Sequence, residues 1–190
     1  MRESERSFVS RGGLKLDHAL SQFSIDVHDA TCADLGSNTG GFVDCLLQRG
    51  AARVFAIDTG YGVLDWKLRN DPRVVVMERT NAMHVELPEP MQIVTIDVAW
   101  TKQRIILPAA MRMLADNGSV ITLIKPHYEA APAQLRKGVL MQEHLPEIME
   151  RVKTEISNLK FEILGFIESP IQGSKGNVEF LAHLKTSSLK

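Results

Sequence analysis

Five short apolar runs in this 190-residue chain each close on an ionisable residue. TCAD ends on Asp34, RVFAID on Asp58, RVVVME on Glu78, MQIVTID on Asp97 and SVITLIK on Lys125. One polar residue is expected wherever a strand reaches water. Four carboxylates and a lysine in succession also gather the groups that move protons and hold cations. The first run leads into DLGSNTGGF, residues 34–42, with three glycines in nine residues. A loop of this kind ahead of a helix offers unpaired backbone N–H groups and the positive end of the helix dipole. Its glycines let the backbone come close to a ligand.

The spacing narrows the ligand. Gly36 is followed by three residues and then by Gly40 and Gly41, which misses the dinucleotide pattern G-x-G-x-x-G. There is no G-K-[ST] of a phosphate loop either. Asp58 ends the next run about 20 residues after Gly36, the interval at which a carboxylate grips ribose hydroxyls. Asp34 adds negative charge ahead of the loop, which suits a cationic ligand better than a pyrophosphate. A sulfonium joined to a ribose meets both conditions, and S-adenosylmethionine is the expected cofactor. The plain alternative is a strand–helix turn with no ligand.

These residues need a scaffold that brings strand ends together. The apolar runs are rich in Val and Ile and alternate with helical segments: GLKLDHALSQF, GFVDCLLQRG, GVLDWKLRN, IILPAAMRMLADNG and HLPEIMERVKTEISNL. In the first, Leu14, Leu16, His18, Ala19 and Phe23 are expected near one helical face. Gly50 and Gly118 are expected to stop the second and fourth. FEILGFIES and EFLAHLK read as two closing strands. This alternation predicts a single α/β domain over 1–190, with a mostly parallel sheet and helices on both faces. Residues 1–8 are expected to form a tail. In such sheets ligands sit beyond the carboxyl ends of the strands, at the switch in strand order.

Composition excludes several classes. No stretch approaches the ~20 apolar residues of a membrane span, and MRESERSFVSRGG lacks the apolar segment of a signal peptide. A soluble, cytoplasmic protein without membrane partners is expected. Cys32 and Cys45 read as small core residues and show no metal-ligand spacing, so no metal is expected. The net charge of −1 is too low for nucleic-acid binding by bulk charge. RNA contact would need a local patch, for which Arg2, Arg6, Arg11 and Lys15 are candidates; a solvated tail is the alternative.

Several stretches taken together resemble the FtsJ-like RNA ribose 2′-O-methyltransferases, and among them the TlyA-type hemolysin/rRNA methyltransferases. They are VSRGGLKL (9–16), DLGSNTGGFVDCLLQRGAARVFAID (34–58), GYG (60–62), WKLRNDPRVVVMERTNA (66–82), IDV (96–98), LIKP (123–126) and SPIQGSKGNVEFL (169–181). The resemblance implies a Rossmann-like, seven-stranded methyltransferase domain with its last strand antiparallel. It implies a catalytic set of Lys15, Asp97, Lys125 and Glu179. The cofactor residues would be Asp34, Gly36, Ser37, Gly40, Gly41, Phe42 and Asp97, with Asp58 on the ribose and Asn81 beside the adenine. The partner implied is ribosomal RNA or a ribosomal subunit. TlyA-type proteins carry an S4 RNA-binding domain ahead of this region, whereas only eight residues precede VSRGG here. After Asp97 the family's Ser-Phe-Ile-Ser is replaced by Ala99-Trp100-Thr101-Lys102, and the loop after Lys125 reads PHYEAAPAQLRKG.

The chemistry implied is in-line methyl transfer to a ribose hydroxyl. The leaving group needs no proton, but the hydroxyl must lose one, and Lys125 is the expected base. Asp97 would orient it; Lys15 and Glu179 would position the substrate. Trp100, Tyr128 and His127 could stack on bases or simply pack under a loop. Tyr61 and Trp66 could line the cofactor cleft or pack on the short helix. The rival readings are a methyltransferase of the same fold for a small molecule or another nucleic-acid position, and a non-catalytic cofactor-binding protein.

Overall fold

The computed structural model describes residues 7–187; Arg2 and Arg6 of the N-terminal basic group lie outside them. Seven strands form one sheet: β1 (Thr31–Leu35), β2 (Arg53–Ile57), β3 (Val74–Met77), β4 (Met91–Ile96), β5 (Leu114–Ile124), β8 (Phe161–Glu168) and β9 (Phe180–Thr186). A separate two-stranded hairpin, β6 (Leu135–Arg136) and β7 (Val139–Leu140), lies between β5 and β8 in sequence. The order across the large sheet is β3-β2-β1-β4-β5-β9-β8, with β9 antiparallel to both of its neighbours. Strand order switches between β1 and β4, so the carboxyl ends of these two strands flank the expected crevice.

The helices cover both faces. α1 (Gly12–Gln22) and α2 (Gly41–Gln48) bury Leu16, Leu20, Phe42 and Leu46 on one side. α4 (Gln103–Met113) and α6 (Leu145–Asn158) bury Ile106, Leu107, Ile148 and Val152 on the other. Each fully buried leucine or isoleucine contributes about 1.5–3 kcal/mol of transfer free energy, so both layers are firmly held. Because side chains alternate along a strand, Cys32 and Asp34 face the α1/α2 layer, while Ala33 and Leu35 face α4 and α6.

All seven expected strands are present, but two details of the helices differ. α1 turns Lys15, not Leu14, into the protein: Lys15 is buried beside Leu16 and Ala19, and Leu14 is exposed. α4 ends at Met113, short of the expected Gly118 stop. Leu114 already pairs with Met91, and Asn117 turns with a φ of 65° before Ser119 pairs with Ile93. The short helix expected in GVLDWKLRN is present as a single turn, α3 (Trp66–Arg69), capped by the Asp65 carboxylate accepting from Lys67 N–H. Cys32 and Cys45 are buried and unbridged. Among the described residues, no helix is long and apolar enough to cross a membrane.

Candidate active site

The carboxyl edge of the sheet carries a cleft of about 330 Å3 lined by Lys15, Asp34, Gly36, Ser37, Gly41, Phe42, Asp97, Lys125 and Glu179. A second cavity of about 410 Å3 adjoins it and shares Gly36, Asn38, Asp97 and Ala99. Asp58 and Asn81 line this second cavity, together with the apolar Ala82, Met83, Val98 and Ile106. Eleven of the twelve sequence-predicted positions line the two cavities. The remaining one, Gly40, lines neither. It sits at the left-handed N-cap of α2, where a Cβ would meet Leu68 Cδ1 at 2.2 Å.

Two ion pairs organise the polar cleft, and the topology explains each. Pro126 follows Lys125 and opens a short helix, α5 (Pro126–Glu129). A residue before proline is pushed into extended backbone, and Lys125 has φ −114° and ψ 93°. Its Nζ lies 2.6 Å from Asp97 Oδ1 and donates to the Val98 carbonyl at 3.1 Å. Glu179 reaches the same edge because β9 runs backwards: its first residue, Phe180, pairs with Ile124, the last of β5. Glu179 shares a strand face with Leu181, which packs in the α1/α2 layer. There it meets Lys15 Nζ, 2.5 Å from Glu179 Oε2, both side chains buried. The positive charge of Lys15 is therefore offset by Glu179. Gly173 fits only because it lacks a side chain, since a Cβ there would fall 2.0 Å from Glu179 Oε1.

Asp34 is the most unusual group of the cleft. It pairs across the sheet with Thr95, whose hydroxyl donates to Asp34 Oδ1 at 2.7 Å. Its Oδ2 is buried with no hydrogen-bond partner. Burial pushes the Asp34 carboxyl up to about 7, and the carboxylates of Asp97 and Asp58 push the same way against the Thr95 hydrogen bond. A buried, unmatched carboxylate oxygen on a cleft wall is costly, and a cationic or N–H-bearing ligand group would satisfy it. Asp58 accepts from Asn38 N–H at 2.9 Å through Oδ2 and from Gly60 N–H at 2.7 Å through Oδ1. The middle of the glycine loop is thus tied to the end of β2. Each Asp58 oxygen keeps a further lone pair for a hydroxyl.

Glu78, the third strand-end ionisable residue along the chain, does other work. Backbone N–H groups of residues 62–64 and the Arg69 guanidinium hold its carboxyl at about 2, and the side chain staples the 60s loop to α3. Tyr61 and Trp66 are exposed and line neither cavity, and the Arg79 guanidinium lies 4.1 Å over the Tyr61 ring. Trp100 is 82% exposed, with a φ of 60°, and its ring leans on Tyr128 at a tilt of 33° and 4.7 Å between centroids, where the two cavities open. His127 is buried against Tyr128 at 4.2 Å. Sequence reasoning misses Ser10 and the 171–174 segment as parts of the cleft wall, and Thr95 as the buried donor behind Asp34. SPIQGSKGNVEF marks the last of these, but only its glutamate is given a place by the sequence.

The parallel sheet with one reversed strand, the glycine loop at its switch point and a two-part cleft define a class I methyltransferase domain. The family model for the FtsJ-like methyltransferase matches residues 8–186, and the chain belongs to that family. It is 40% identical to the 16S/23S rRNA (cytidine-2′-O)-methyltransferase TlyA of Mycobacterium tuberculosis, over 98% of this chain and 71% of that protein. It is 42% identical to YqxC of Bacillus subtilis, named as a candidate rRNA methyltransferase, over 93% of this chain and 65% of that protein. The chain thus spans about two thirds of the length of these relatives. The solved structure of a candidate hemolysin from Streptococcus thermophilus superposes with a TM-score of 0.92 at 39% identity, covering 98% of this chain and 70% of that one.

Proposed function

We propose that this protein is an S-adenosylmethionine-dependent methyltransferase that modifies a ribose 2′-hydroxyl of ribosomal RNA. The observation that carries the reading is the Lys125–Asp97 pair, set on the wall between a polar cleft and a cavity fit for a nucleoside. Asp34 would hold the cationic end of the cofactor, Asp58 its ribose hydroxyls, and Asn81 with Val98 and Ile106 its base. Gly36, Ser37, Gly41 and Phe42 would shape the passage between the two ends. When bound, the cofactor supplies a methyl group activated on a sulfonium. Lys125 in its neutral amine form would take the proton that the attacking hydroxyl sheds and end as the ammonium that pairs with Asp97; Asp97 would hold the amine in line, and the Lys15–Glu179 pair would fix the substrate side of the cleft. The exposed Trp100 ring, tilted against half-buried Tyr128, offers a shelf for an unstacked base.

The deciding experiment supplies radiolabelled S-adenosylmethionine with ribosomal RNA, naked and in isolated subunits, and maps the product. Label at a 2′-oxygen is expected. Absence of transfer to any of these RNAs defeats the reading, and label only on a base or a small molecule replaces it with the rival substrate.

Asp34 gives the reading a pH signature. Its folded value lies above the unfolded one, so the free protein holds an extra proton. Stability is therefore lost as pH rises from about 4 to about 7, by a few kcal/mol in order of magnitude. Buried His127 and half-buried His183, both held below the usual imidazole range by desolvation, act in the opposite sense. The difference between wild type and Asp34→Asn isolates the carboxyl. A cationic ligand binds the ionised form, so the cofactor Kd is expected to rise about tenfold per pH unit below 7 in wild type. It should stay flat in Asp34→Asn. Parallel profiles for the two proteins, measured by calorimetry between pH 5.5 and 8, would remove Asp34 from the cation site.

A further inference from the structure

Two Lys-Gly pairs meet beside the mouth of the cleft. Lys137-Gly138 forms the two-residue turn of the β6–β7 hairpin, between the paired Arg136 and Val139. Lys175-Gly176 forms the turn that leads to Glu179. All four residues have left-handed backbone: φ is 53° and 81° in the first turn, 59° and 80° in the second. Tight turns of this kind favour Asn-Gly or Asp-Gly, because Asn and Asp tolerate the left-handed region far better than lysine. Lysine at both places goes against local preference in the same direction, and it puts an ammonium where an amide or a carboxylate would sit more easily. Backbone set against preference is a pointer to function.

The two turns are built as one unit. Asn177 is 3% exposed; its Nδ2 donates to the Gly138 carbonyl at 3.0 Å and to the Ser174 carbonyl at 3.1 Å, and its Oδ1 accepts from Leu140 N–H at 3.1 Å. Lys175 Nζ crosses to the Lys137 carbonyl at 3.4 Å and lies over Gly138. Arg136, Lys137 and Lys175 are all exposed. None of the three forms an ion pair with a carboxylate among the described residues. The same 173–176 turn supplies Gly173 and Ser174 to the cleft wall. A rigid, uncompensated cationic knuckle thus stands next to the pocket of Lys15, Asp97, Lys125 and Glu179, in a chain of net charge −1.

We propose that the paired Lys137-Gly138 and Lys175-Gly176 turns, with Arg136, are a phosphate clamp that grips the RNA backbone beside the target nucleotide. The clamp rests on the RNA reading given above. Lysine side chains at two turn tips reach separate phosphates, while Asn177 fixes the spacing between them. Such interactions carry affinity and register without reading sequence.

The test uses the double variant Lys137→Asn/Lys175→Asn. Asparagine suits a left-handed turn better than lysine does, so the charge is removed with the turns kept. Lys160→Asn is the control: Lys160 is exposed with a φ of 63°, but it precedes β8 at the opposite edge of the sheet. Ribosomal RNA stripped from isolated subunits is titrated over a range of salt, and S-adenosylhomocysteine affinity and kcat are measured beside it. The double variant should bind RNA roughly tenfold more weakly, with the slope of log K against log salt reduced by about 0.7 to 0.9 for each phosphate that is no longer neutralised. Its kcat at saturating RNA and its S-adenosylhomocysteine affinity should match wild type, as should all values for Lys160→Asn. An unchanged slope in the double variant, or an equal loss in Lys160→Asn, overturns the clamp. Wild-type methylation of RNA with an unaffected double variant removes the clamp and keeps the reaction. RNA binding that depends on the two lysines, without any methyl transfer, keeps the clamp and removes the reaction. Wild type that binds no RNA removes both.

Discussion

Lys125→Ala is expected to lower single-turnover methyl transfer by about 10² to 10⁴-fold, the range a positioned general base supplies, while S-adenosylhomocysteine affinity stays within about twofold of wild type. The separation follows from the geometry. Lys125 touches Asp97 and the Val98 carbonyl and lines the polar cleft, whereas the cavity assigned to the nucleoside is lined without it. Removing the lysine also strips Asp97 of its counter-charge, so alanine alone does not distinguish a base from a charge holder. Lys125→Arg does. Arginine keeps the ion pair and the positive charge but does not give up its proton in a protein. The expected result is that arginine is nearly as inactive as alanine. Substantial activity in Lys125→Arg would show that a cation at this place suffices and would end the base assignment.

How much of this is visible in the sequence depends on what positions each residue. The strand-end residues Asp34, Asp58, Asp97 and Lys125 are legible because each closes a run of apolar residues, and local pattern sets where a strand ends. Lys15 and Glu179 are not legible from pattern. Lys15 looks like one more lysine on a helix, and its burial comes from how α1 docks onto α2 and β9. Glu179 looks like an edge-strand charge. It reaches the active edge only because β9 is inserted antiparallel between β5 and β8, a matter of topology. Family resemblance joins them before the fold does. Leu14 reads as a core residue in the sequence because helical spacing alone cannot choose between adjacent faces. The end of α4 is misplaced because Gly118 looks like a helix stop, whereas a Cβ there would sit 2.9 Å from the Met91 carbonyl, so the glycine serves strand approach. The glycine loop shows the same division. All three glycines read as ligand-facing, but Gly40 makes room for Leu64 and Leu68, and Gly41 lets α2 abut Ser10 and Gly13 as well as lining the cleft.

Gly36→Ala is expected to have the second largest effect, for reasons that can be separated. Gly36 has a φ of 88°, and a Cβ placed on it would lie 2.6 Å from the Asp97 carbonyl oxygen and 3.1 Å from Val98 Cα. Left-handed backbone in a residue with a Cβ costs about 1–3 kcal/mol. The steric overlap adds displacement of the 97–98 backbone, which is tied to the residue next to Gly36 by Asp97 N–H donating to the Leu35 carbonyl at 3.0 Å. That backbone carries Asp97 and accepts from Lys125 through the Val98 carbonyl, so a shift there moves the proposed reacting pair as well as the proposed cofactor passage. A misplacement of about 1 Å at such a centre costs roughly 100-fold in rate. Gly62→Ala supplies the comparison: Gly62 also has a positive φ, 68°, but nothing lies within 4 Å of its added Cβ. Both variants should therefore lose stability in urea titration, with Gly36→Ala losing more. Only Gly36→Ala should also lose methyl transfer and weaken S-adenosylhomocysteine binding. If the two variants behave alike, backbone strain alone accounts for Gly36, and the close approach of the glycine loop to Asp97 has no part in holding the site together.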